Sequence, residues 1–165
     1  MNFRLRDADR TLRAFLTAFL VVLTIGYATG LLFVEHTTSL TAPGIQEQML
    51  GNEESTVAAE MKYAKSVSEM YIFLHNHILS VTMIMMVVGS IFYFSSIVGE
   101  GTKRFLLVEP FVAVLTTFGG IALVRFVSPY FSWLVLLSGV SLFLCYAAMV
   151  ALILKELWMS TRLPG

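Results

Sequence analysis

Residues 66–98 read SVSEMYIFLHNHILSVTMIMMVVGSIFYFSSIV. The stretch opens polar, carries His75, Asn76 and His77, and then stays apolar. No charged residue follows Glu69 within it. An uncharged run of this length reads as a helix that crosses a membrane. The span is expected over 71–98.

The rest of the chain agrees. It has 165 residues, 57% of them hydrophobic and 13% charged, a balance outside soluble usage. The formal net charge is zero, so no basic face is available for nucleic acid. Cys145 is the one cysteine and lies in an apolar run. Without a second thiol there is no internal disulfide, and the fold must rest on packing.

Arg4, Arg6, Arg10 and Arg13 precede a second apolar run at 14–34. Charge followed by apolar residues is how a signal peptide begins, but this run is too long for a signal core. It is expected to remain as the first membrane helix. Residues 1–13 alternate arginine with Phe3 and Leu5, as an interfacial segment does. Asp7 or Asp9 suits the N-cap of the helix that follows. Gly26 and Gly30 form a GxxxG, which permits close helix approach. Internal packing is its first reading and dimerisation its second.

The polar stretch at 35–70 contains Pro43-Gly44, a turn signal, and Glu53 and Glu54, an acidic surface for a partner. Val57, Met61, Ala64, Val67 and Tyr71 recur at helical spacing. An amphipathic helix starting near Asn52 or Ser55 is therefore expected to lead into the second span. Gly99-Glu100-Gly101 should break the chain within a short loop at 99–104. A third span is expected over 105–127, with Pro110 in its first turns and Gly119-Gly120 at a close contact. A tight turn at 128–130 leads to a fourth span over 131–154, and 155–165 is a tail with Trp158 at headgroup depth. The expected fold is an all-α, antiparallel four-helix membrane bundle with one long external loop.

Orientation follows from charge. With both termini cytoplasmic, the inner segments hold Arg4, Arg6, Arg10, Arg13, Lys103, Arg104, Lys155 and Arg162, and the outer ones Lys62, Lys65 and Arg125. That asymmetry is positive-inside. The expected location is a cell inner (plasma) membrane.

The antiparallel layout puts His36, at the end of span one, level with His75 and His77, at the start of span two. Glu35, Glu69 and Met70 stand nearby in sequence. Three readings follow. The first is haem b, which needs two axial imidazoles across a slot between helices; His36 with His77 or His75 would supply them, in exchange with an external cytochrome. His75 and His77 point about 200° apart on a helix, so only one of them can face span one. The second is copper or zinc on His36, His75 and His77. The third is a cofactor-free structural or assembly subunit, the histidines being interfacial residues. All three place the protein in the bilayer beside other membrane subunits.

Enzyme signatures are missing: there is no His-Glu-x-x-His, Gly-x-Ser-x-Gly or phosphate-binding glycine loop. An enzyme in its own right is not expected. Glu109 and Arg125 read as charges at the edges of span three. On that reading no span carries a central charge, Cys145 has no base at its depth, and no polar track runs across the bundle.

Overall fold

The computed structural model describes residues 4–53 and 61–159. Their regular secondary structure is all helical, without strands. Five α-helices and two 3₁₀ turns run in the order Leu5–Asp7, α1 Arg10–Thr38, α2 Ala42–Leu50, α3 Val67–Tyr93, α4 Glu100–Phe126, Pro129–Phe131 and α5 Ser132–Trp158. Four of the helices, α1, α3, α4 and α5, are long and apolar enough to cross a membrane.

Antiparallel α3, α4 and α5 pack on one another, and α1 lies along α5. Their shared core includes Val88, Phe92, Val114, Tyr146, Met149 and Ile153. Lipid is as apolar as these side chains, so the association rests on van der Waals fit and on interhelical polar contacts. Both kinds are present. Gly120 brings α4 against α5: a Cβ there would stand 2.9 Å from Val135 Cγ2. Thr117 Oγ1 donates to Ser138 Oγ at 2.8 Å. On the other side of α5, the ring of Tyr146 stacks on Tyr27 of α1 at 4.1 Å, and its hydroxyl meets Thr24 Oγ1 at 3.1 Å.

Helix boundaries differ from the sequence expectation in ways that matter below. Asp9 caps α1, its carboxylate accepting from Leu12 N at 2.7 Å, so the helix starts at Arg10. Ser66 caps α3 in a reciprocal capping box with Glu69. Gly99 is the N-cap of α4, so the Gly-Glu-Gly triplet opens this helix where a break was expected. The earlier start moves Pro110 into the helix interior, where it is buried. It also carries Glu109 nine residues past the first residue of α4, about 13.5 Å along the axis.

The loop helix is also displaced. α2 spans Ala42–Leu50 with Thr41 as its N-cap and proline in its first turn. Pro43 thus starts a helix where a turn was read, because the first helical amides need no partner. Residues 61–66 take no regular secondary structure, which breaks the expected helix before Val67. Glu54, Ser55 and Val57 fall outside the described residues. So do Phe3 and Arg162.

Two ends of the bundle follow from this layout. At the α2 end, Ser39 and Leu40 take positive φ of 50° each and turn the chain sharply from α1 into α2. α2 then rests across the α4–α5 corner, where Gln46 Nε2 donates to Pro129 O at 3.1 Å and Ser132 Oγ at 2.9 Å. At the opposite, terminal end, Leu5 is buried and its amide donates to Phe94 O at 3.1 Å. The N-terminal turn is therefore seated in protein there.

Candidate functional site

The three histidines are not gathered at one point. His36, in the last turn of α1, lines a cavity of about 230 Å³ with Thr37, Gln48, Lys62, Tyr63 and Lys65. Within that lining, Lys62 Nζ donates to Thr37 O at 2.6 Å. Arg125 Nε similarly donates to Lys65 O at 2.6 Å. Lys62 thus meets a carbonyl in the last turn of α1, and Arg125 is itself in the last turn of α4, both favourable places for a cation. Asn52 and Lys62 pinch the base of the acidic loop, through Asn52 N to Lys62 O at 3.0 Å and Lys62 N to Asn52 Oδ1 at 2.7 Å. Glu53 is exposed beyond that pinch.

His77 faces α4. Its ring meets that of Phe73 in a tilted contact at 4.1 Å and lies 5.6 Å from Phe118. Its Nδ1 stands 2.9 Å from Phe73 O; only a protonated Nδ1 can bond a carbonyl, which makes Nε2 the free position. His75, two residues earlier, is exposed. Since α1 packs on α2 and α5, the slot expected between spans one and two is taken by other elements. Glu69 serves the capping box and Met70 is buried in the core. Among the described residues no three of His, Cys, Asp and Glu are grouped to hold a metal ion.

Gly26 and Gly30 also depart from their first reading. A Cβ at either would meet nothing within 4 Å. Gly26 and Gly30 lie about 200° and 240° round α1 from Thr24, and about 100° and 60° from Tyr27, two residues that touch α5, and both glycines are exposed. The GxxxG is therefore on the free side of α1, flanked by Val22 and Phe33, which are 70% and 64% exposed.

Two carboxylates that the sequence reading set aside turn out to be the polar centres of the bundle. Glu109 accepts from Ser141 Oγ at 2.5 Å and from Cys145 Sγ at 3.0 Å. The glutamate expected at a helix edge is thus well inside α4, and the thiol thought to lack a basic neighbour has one. Glu109 stands about 6 Å from the centre of α4, and the hydrocarbon half-thickness is about 15 Å. Glu156 was placed in a tail; it is fully buried in α5. It accepts from Ser95 Oγ, from Ser96 N at 2.9 Å and from Ser96 Oγ at 2.7 Å.

Ser138, Cys145 and Glu156 recur on α5 at steps of seven and eleven residues, which return to the same face within about 20°. Ser138 and Cys145 meet Thr117 and Glu109 of α4, and Glu156 meets Ser95 and Ser96 between α3 and α4, so one face of α5 carries a discontinuous polar line. This spacing was the signal in the sequence. It went unread because the capping role of Gly99, which sets the depth of Glu109, is not visible without the neighbouring chain.

A family model described as a transmembrane helical domain matches residues 39–163. The matched residues take in α2, α3, α4 and α5, and α1 precedes them. No curated protein and no solved structure matches.

Proposed function

The chain belongs to the Aq_1264_TM family of transmembrane helical domains, and on that premise we propose that it is a subunit of a larger membrane complex and docks through α1. The outward GxxxG carries this reading. α1 is the least buried of the four spans: 6% of its most apolar window is buried, against 44% for α4. Lipid covers an apolar face well, so exposure by itself is neutral. A smooth glycine face is different, because it loses contacts with lipid and gains them when another backbone approaches. The charge asymmetry supports an orientation in which the α2 end, with exposed Glu53, faces the external side of a plasma membrane. There the acidic loop with Glu53 and Glu54 offers a second contact to a partner.

The test is Gly26→Leu combined with Gly30→Leu. Both side chains enter open space, so thermal stability in detergent should match the parent chain within about 0.5 kcal/mol. Chemical crosslinking in native membranes should lose the band that joins this chain to its neighbour. A crosslinked band of unchanged intensity overturns α1 as the docking helix.

The free Nε2 of His77 supports a second reading, in which that nitrogen holds haem b or a copper or zinc ion near the external face. A backbone bond at Nδ1 is the arrangement that orients a ligating imidazole. This reading needs a further ligand, from His36, His75 or a partner subunit, and would link the complex to an external cytochrome. A reduced-minus-oxidised visible spectrum and elemental analysis of the purified protein, before and after His77→Ala, decide it. Absent b-type bands together with metal content indifferent to the substitution would end it.

A further inference from the structure

We propose that the flank of α4 and α5 turned away from α3 seats a transmembrane helix of a different chain, and that Glu109 receives a lysine or arginine of that helix within the bilayer. This rests on the subunit reading above and names the chemistry of one partner.

The flank is located by helix geometry. Leu107 and Phe111 line the cleft with Met85, Gly89 and Tyr93 of α3. Glu109 lies about 200° round the helix from each, on the side that α3 leaves open. Around it Phe105 and Val112 on α4 and Leu137 and Leu144 on α5 are 55–68% exposed.

Its shape suits a helix. On α4 the flank carries Glu109, Val112, Thr116 and Gly119, at steps of three, four and three. On α5 it carries Ser138, Ser141 and Ala148, with Cys145 buried behind Glu109 and in register with them, at the same steps. That is the repeat of a packing seam, and seven of the eight residues are no larger than valine, which allows close approach. Space is available, since a Cβ on Gly119 would meet nothing within 4 Å.

Its charge specifies the occupant. The two donors on Glu109 are a hydroxyl and a thiol, both neutral. The one ion pair among the described residues joins Lys103 to Glu100, at the helix end. A carboxylate in hydrocarbon with neutral partners is costly, and a cation offsets that cost. Glu156 shows the contrast: it is enclosed by Ser95 and Ser96 and has no open side. A second copy of this chain does not fit. Its eleven lysines and arginines are at 4–13, 62–65, 103–104, 125, 155 and 162. The nearest in sequence, Arg104, is five residues from Glu109, about 7.5 Å toward the helix end.

The test uses the full-length protein in phosphatidylcholine vesicles, fluorescently labelled, with labelled synthetic polyleucine helices of about 24 residues. One peptide has a central lysine, one a central leucine. Energy transfer should show the lysine helix bound about tenfold more tightly, the scale of an interhelical polar contact in lipid. Glu109→Gln should abolish that preference, whereas Glu35→Gln, an exposed carboxylate at a helix end, should leave it intact. Gly119→Leu should weaken both peptides by filling the seat. It enters open space, so it tests the site even where Glu109→Gln folds poorly. Equal binding of the two peptides, a lysine preference surviving Glu109→Gln, or undiminished binding of both peptides to Gly119→Leu overturns the proposal. So does self-association of the chain through this flank that the lysine peptide fails to reduce. Since no native partner takes part, failure here is separable from failure of the α1 contact, which the crosslinking reads.

Discussion

Glu156→Ala is expected to destabilise the folded protein by about 3–5 kcal/mol, the range for breaking a buried charged network. The substitution removes the acceptor for Ser95 Oγ, Ser96 N and Ser96 Oγ together. Ser95 is 2% exposed, so water cannot replace what is lost, and a stranded buried donor costs about 1–3 kcal/mol. The damage should stay at the terminal end. The Ser95–Ser96 turn follows Phe94, whose carbonyl holds the N-terminal turn through Leu5 N. Limited trypsin digestion at Arg4, Arg6 and Arg10 should therefore accelerate before the bundle melts. Glu156→Gln, which keeps the volume and one acceptor oxygen, should fall between. Adding Ser95→Ala to Glu156→Ala should cost little more, because both partners of one bond are then gone. Thermal unfolding in detergent, followed by circular dichroism, measures all three variants. A melting curve for Glu156→Ala that overlays the parent curve would mean the carboxylate does not hold this end.

Gly44→Ala should be comparably severe at the other end, by about 3 kcal/mol. A Cβ there would stand 1.9 Å from Thr38 O and 2.6 Å from Thr38 C. Both atoms are backbone, so no rotamer change relieves the overlap, and α2 has to lift from α1. Lifting it exposes Ile45 and Met49, each now 7% exposed, and breaks the bonds from Gln46 to Pro129 and Ser132. Hydrogen exchange across 42–50 should rise towards that of an unprotected segment, while the centres of α3, α4 and α5 stay protected. Gly26→Ala is the matched control, since its methyl group meets nothing. Unchanged exchange in α2 of Gly44→Ala would show that the corner accommodates a side chain.

Much of the architecture was legible because its signals are local. An uncharged apolar run declares a span whatever it packs against, as with α3 and α5, although the expected 71–98 is Val67–Tyr93 and the expected 131–154 is Ser132–Trp158. Asp9 was legible as a cap candidate for the same reason: a capping carboxylate reaches only three residues along its own chain. The depth of Glu109 was less accessible. It depends on Gly99 opening α4, and the Gly-Glu-Gly triplet reads equally well as a loop. Glu156 looked like a tail residue because its serine partners lie some sixty positions earlier.

By itself, then, the order of residues determined that this is a helical membrane protein, how many spans it has, and that they alternate in direction. Length, apolarity and short polar connections carry that information, and none of them needs a neighbour. Tertiary structure decided which side of each span meets protein: that Gly26 and Gly30 look outward, that His77 turns to α4 while His36 stays beside α2, and that Glu109 meets Cys145. The reason is the solvent. In water an apolar stripe announces the buried side of a helix, but in a bilayer both sides are apolar, and only the fit between particular helices tells them apart.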